Sequence, residues 1–220
     1  MVKRTIIKYS AIVFVTIFII AGLYIGYTTY KDRLEIKKLK KMIAHLEKET
    51  EMLKVIVEDT IMGNYDIKLA FIDNKGKPVG KMKRYTLPGN KIYIEAIILQ
   101  FSYPLIEKGH KSIAFPVKIY SSSMKPDNGL PIVSLSLDEN GIPLSYRNSK
   151  FLNENLHEYT PILKKLWFFA NNPEKIPSKW GLKRIYGQAV FTKMVKSKYY
   201  RIIVKSTGDM AIEPSNVWWE

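Results

Sequence analysis

The chain has 220 residues, no cysteine, and a formal charge of +15 from 35 Lys and Arg against 20 Asp and Glu. Lack of cysteine excludes disulfides, thiolate metal sites and a cysteine nucleophile. Most of the positive excess follows residue 63, so the candidate partners are anionic: lipid headgroups, an anionic polymer, nucleic acid or an acidic protein.

Residues 1–8 form a basic tail with Lys3, Arg4 and Lys8. Tyr9 to Tyr30 contains no charge, and roughly 20 apolar residues suffice to cross a hydrocarbon core of about 30 Å. The stretch 9–30 therefore reads as a transmembrane helix, with Tyr9 at one interface and Tyr24, Tyr27 and Tyr30 at the other. A cleaved signal peptide is the competing reading, but its apolar core is shorter, so an uncleaved signal anchor is expected. Gly22 and Gly26 lie one turn apart, a spacing that lets a second helix approach. The basic tail argues for a cytoplasmic N-terminus and an extracytoplasmic C-terminal domain at an inner or plasma membrane. Lys31, Arg33, Lys37, Lys38, Lys40 and Lys41 argue the other way.

Beyond Asp32 the apolar period is seven. Ile36, Ile43, Thr50 and Val57 fall at position a, and Leu39, Leu46, Leu53 and Thr60 at d. β-Branched a residues with Leu at d favour a parallel two-stranded coil, and Glu35 with Lys40 and Glu49 with Lys54 supply opposite charges across it. Residues 31–63 are thus predicted to be a coiled-coil stalk, pairing with its own copy or a related coil. Dimerisation is assigned to Gly22, Gly26, Ile36, Leu39, Ile43, Leu46, Thr50, Leu53 and Val57. The alternative is one amphipathic helix packed on its own domain. Gly63-Asn64 is read as the helix stop.

Residues 64–220 are long enough for one domain with its own core. Strands are predicted at Asp66–Asp73, Val79–Leu87, Lys91–Phe101 and Ser112–Ser121, with Lys91–Phe101 central and Pro116 marking an edge or bulge. Pro131–Leu137 and Ile142–Tyr146 flank Asn140-Gly141, a hairpin signal. Leu152–Asn171 reads as a helix, with Thr160 as N-cap and Ile162, Leu163, Leu166 and Trp167 as its buried stripe. Arg184–Lys193 and Tyr199–Val204 read as a last hairpin, and Asp209–Pro214 as a short strand. The fold class is α+β: a transmembrane helix and stalk, then a mainly antiparallel sheet with one helical insertion.

Several fragments imitate active-site motifs. Gly76-Lys-Pro-Val-Gly80-Lys81 is one residue short of a phosphate loop and lacks the following hydroxyl. His157-Glu158 has Pro161 where a zinc helix needs its second His. Ser122-Ser-Met-Lys125 pairs a hydroxyl with an amine, and Lys205-Ser-Thr-Gly208 follows downstream, but Pro126 breaks the helix such a serine starts. A small hydrolase using Ser122 and Lys125 is the remote reading. No metal or cofactor is expected.

Basic residues interleaved with aromatics at Lys81, Lys83 and Arg84, and at Lys198, Arg201 and Lys205, are the candidate binding set for an anionic polymer or lipid headgroup; nucleic acid is not expected. The span, coil and compact α+β domain together resemble small single-span assembly proteins of bacterial envelope machines, with no motif to name a family. That resemblance implies a non-enzymatic dimeric scaffold or adaptor, resting on the bilayer and docking another envelope protein.

Overall fold

The computed structural model describes residues 2–46, 48–73, 75–132, 137, 144–146 and 160–216. They fall into two units, Met1–Ala44 and His45–Glu220. The first unit lies in one helix, α1 (Val2–Leu46).

Among the described residues no helix is long and apolar enough to cross a membrane. This corrects the transmembrane helix at 9–30. The signal anchor, the single-pass placement and the extracytoplasmic domain that depended on it fall with it. Past Tyr30 the charged run Lys31-Asp32-Arg33 ends the uncharged stretch of side chains described in α1.

The helix is also shorter than the heptads suggest. α1 ends at Leu46, and Glu49–Ile61 is a strand, β1. Thr50, Leu53, Val57 and Thr60 therefore sit in a sheet, where Leu53 and Val57 are fully buried. These two residues are four apart, a separation that satisfies a strand face as well as a coil seam. Val55 between them completes the period of two, and the β-branched run Val55-Ile56-Val57 fits a pleated surface. Gly63 does not stop a helix. Met62 at φ 50° and Gly63 at φ 80° form the two-residue turn of a hairpin, with Ile61 opposite Asn64. Paired left-handed residues are the geometry that matches strand twist.

β1 is the middle strand of a five-stranded antiparallel sheet in the order β3-β2-β1-β8-β9. Its neighbours are β2 (Asn64–Ile72) and β8 (Tyr199–Lys205), with β3 (Pro78–Pro88) and β9 (Met210–Ser215) outside them. A second antiparallel sheet has the order β6-β5-β4-β7. It consists of β6 (Leu130–Pro131), β5 (Ile113–Ser121), β4 (Lys91–Phe101) and β7 (Leu182–Lys193). One core joins them: Val55, Ile67 and Leu69 from the first sheet, Ile92, Ile94 and Ile98 from the second. β4 lies between β5 and β7, the central position expected of it. β5 skips a residue between Lys118 and Pro116 opposite β4, so Pro116 does mark a bulge.

The final hairpin is corrected. β7 and β8 form at the expected places but belong to different sheets, β7 on β4 and β8 on β1. The five residues between them cross the core edge, held by Met194 N to Asn90 O (2.8 Å) and Ser197 N to Val57 O (2.8 Å). Leu144–Tyr146 is a 3-10 turn rather than a strand. The Asp138–Gly141 turn, His157 and residues 152–159 of the expected helix lie outside the described residues. Thr160 is itself helical, so it is not the cap. Ile162 is buried beyond it, and Leu166 is buried in α2 (Leu166–Asn171).

Candidate functional site

The basic set divides between two strands. Lys81, Lys83 and Arg84 lie exposed on β3; on β8 Lys205 is exposed and Arg201 half-buried, and Lys198 is exposed just before it. β2 and β1 run between them. Pairing sets Arg84 level with Lys68, Ile56 and Tyr199, and sets Ala70, Lys54, Arg201 and Glu213 level in the next row on that face. Arg84 binds Glu58 (2.9 Å), Arg201 binds Glu213 (2.8 Å), and Lys54 lies 3.6 Å from Glu51. The solvent-accessible Arg84–Glu58 and Arg201–Glu213 pairs add about 0–1 kcal/mol each. The charges of Arg84 and Arg201 are thereby paired within the sheet. Lys198 stands apart, lining a cavity of about 440 Å³ with Val195, Ser197, Tyr199 and Pro214.

The motif fragments take structural roles. The Ser122 hydroxyl accepts from the backbone N–H groups of Asn90 (3.3 Å) and Lys91 (3.4 Å) and donates to Asn90 Oδ1 (3.4 Å). It clasps the β3–β4 turn. Asp73 Oδ1 accepts from the N–H groups of Lys75 (2.8 Å) and Lys77 (2.9 Å). A carboxylate thus occupies the loop where a phosphate would need those donors. Lys205 to Gly208 form the β8–β9 turn, with Thr207 donating to Asp209 at 2.7 Å. Among the described residues no cluster of His, Asp or Glu could hold a metal ion.

Sequence reading missed the aromatic row on the outer face of the second sheet. Tyr93 on β4 is level with Tyr120 on β5 and Phe191 on β7. The rings stack at 5.0 Å and 5.1 Å between centroids. They stand upright against one another, so both faces of Tyr93 are covered, while Phe191 remains 55% exposed. Lys91 and Lys193 are level in the neighbouring row, and the Lys91 Nζ lies 5.3 Å from the Phe191 ring centre. Tyr93 was placeable on an outward face from alternation alone. Its two partners were not, because they come from strands distant in sequence.

Burial lowers the pKa of Lys111 below the usual lysine range, and the nearby Lys48 charge adds to the effect. Compared with protein families, with characterised proteins and with solved structures, the chain matches none.

Proposed function

We propose that this protein is a non-enzymatic scaffold whose copies gather through α1 and whose two-sheet domain docks another protein. The carrying observation is the apolar surface of α1. Ile36, Leu39 and Ile43 are 50%, 46% and 48% exposed, at spacings of three and four that make one stripe of a helix. A stripe of this width is what a second helix covers, with β-branched residues at a and Leu at d. From Ile17 to Tyr30 apolar side chains are exposed on all sides of the helix, so this part needs several neighbours, which further copies of α1 supply. The seam is shorter than the heptads first implied, and Leu53 and Val57 have no part in it.

The chain has no cysteine of its own, so a single introduced thiol reads out the pairing. Leu39→Cys should crosslink to its copy under mild oxidation, and Lys37→Cys, on the far side of the helix, should not. Equal crosslinking at both positions would remove the seam. Crosslinking in intact cells, followed by mass spectrometry, identifies the docked protein. A chain that crosslinks to no other protein would sink the scaffold reading.

A further inference from the structure

The outer strands of the two sheets are β3 and β9 in one, β6 and β7 in the other. Three of them are blocked against pairing. β3 carries Lys81, Lys83 and Arg84 and breaks register as it passes Leu69 and Phe71 of β2. β6 is two residues long and ends on Pro131. β9 contains Pro214. Charge, irregular register, brevity and proline are the devices that keep a sheet edge from recruiting another strand.

β7 lacks them along its middle. It is 12 residues long, has no proline, and holds unbroken register on β4 from Lys193 opposite Lys91 to Arg184 opposite Gln100. Its inward side chains fasten it to the other sheet: Gln188 Oε1 accepts from Met210 N (3.2 Å) and the Tyr186 hydroxyl donates to Gly208 O (3.4 Å). The strand is therefore held ready rather than ordered on binding. On its outward face Ile185, Gly187, Ala189 and Phe191 follow one another between Lys183 and Lys193.

We infer that β7 is a docking edge for an extended segment of another protein, with acidic residues at its two ends and apolar side chains at alternate positions between them. This rests on the scaffold reading and names the surface it uses. An added strand takes the backbone groups on the side of β7 that no described strand pairs. Its alternate side chains extend the row that ends on Phe191, and its carboxylates meet Lys183 and Lys193. A second copy of β7 fits poorly. Antiparallel self-pairing centred on Gln188 sets Lys183 against Lys193 at both ends, and like charges directly opposite are destabilising.

The test uses the full chain and a synthetic strand of about eleven residues, roughly 36 Å long, with glutamate at both ends and valine and phenylalanine alternating with threonine between. Saturable binding should slow amide hydrogen exchange across residues 184–192. The Lys183→Glu/Lys193→Glu variant should bind it about tenfold more weakly and should instead bind the lysine-ended version of the peptide. Binding without protection of β7, equal binding by the charge-reversed variant, or self-association that this variant alters would each overturn the inference. In cells, a crosslinked partner that persists unchanged in the variant removes the β7 assignment alone. Absence of any partner for the native chain removes the scaffold reading itself.

Discussion

The Tyr146 hydroxyl donates to the carbonyl of Ser112 at 3.2 Å, and accepts from Ala114 N at the same distance. One side chain thereby ties the turn at Leu144–Tyr146 to the start of β5. Tyr146 is 1% exposed, so no water replaces it. Tyr146→Phe keeps the ring and orphans both backbone groups, which should cost about 1–3 kcal/mol in denaturant unfolding.

The same residue carries a pH signature. Burial holds the Tyr146 pKa well above the ordinary tyrosine value, and Tyr85, Tyr120, Tyr186 and Tyr200 shift the same way. Above pH about 10 the unfolded chain ionises these phenols while the folded chain keeps its protons. Their stabilisation is complete below that pH and is lost as it rises toward the folded values. Unfolding followed across alkaline pH should show stability falling, and Tyr146→Phe should make the fall shallower.

Two glycines make a matched pair. Gly89 has φ +81°, and an added Cβ would lie 2.5 Å from Ser123 Oγ and 3.1 Å from its backbone N. Gly89→Ala should destabilise by about 1–3 kcal/mol through strain and displacement of the clasp at Ser122. Gly187 has open space where its Cβ would be. Gly187→Ala should leave stability within about 0.5 kcal/mol, or raise it slightly, as surface changes and loss of glycine entropy allow. Thermal or denaturant unfolding of both variants checks the contrast.

The aromatic row should show coupling. Tyr93→Ala removes both stacks, whereas Phe191→Ala removes one. A double-mutant cycle between Tyr93 and Phe191 should return about 0.5–1.5 kcal/mol, the usual worth of a stacked pair beyond area burial. A value near zero would mean the rings are merely adjacent.

β1 decides where the domain begins. A fragment from Lys48 to Glu220 should unfold in one cooperative transition. A fragment from Asn64 lacks the middle strand, and with it the fully buried Leu53, Val55 and Val57. Each such side chain is worth about 1.5–3 kcal/mol of burial, against a total domain stability of about 5–15 kcal/mol. Circular dichroism of the shorter fragment should show the sheet lost.

Sequence by itself determined the strands whose signals are local. Lys91–Phe101 alternates over a full strand length, Pro116 announces a bulge, and Asn64–Ile72 and Met210–Ser215 lie within a residue or two of their expected bounds. The α+β class followed from them. Tertiary structure decided everything that depended on which strands meet. Leu53 and Val57 satisfy a heptad and a strand face equally, and only the neighbours β2 and β8, distant in sequence, bury them as a sheet. β7 and β8 look like a hairpin because they are consecutive, yet each finds a better partner in β4 and β1. Arg84 and Arg201 look free until pairing sets Glu58 and Glu213 beside them, and Tyr93 acquires its two ring partners by the same register. Local alternation reports which face of a strand is buried; it holds no information about which strand lies alongside, because that energy resides in contacts between residues far apart in the chain.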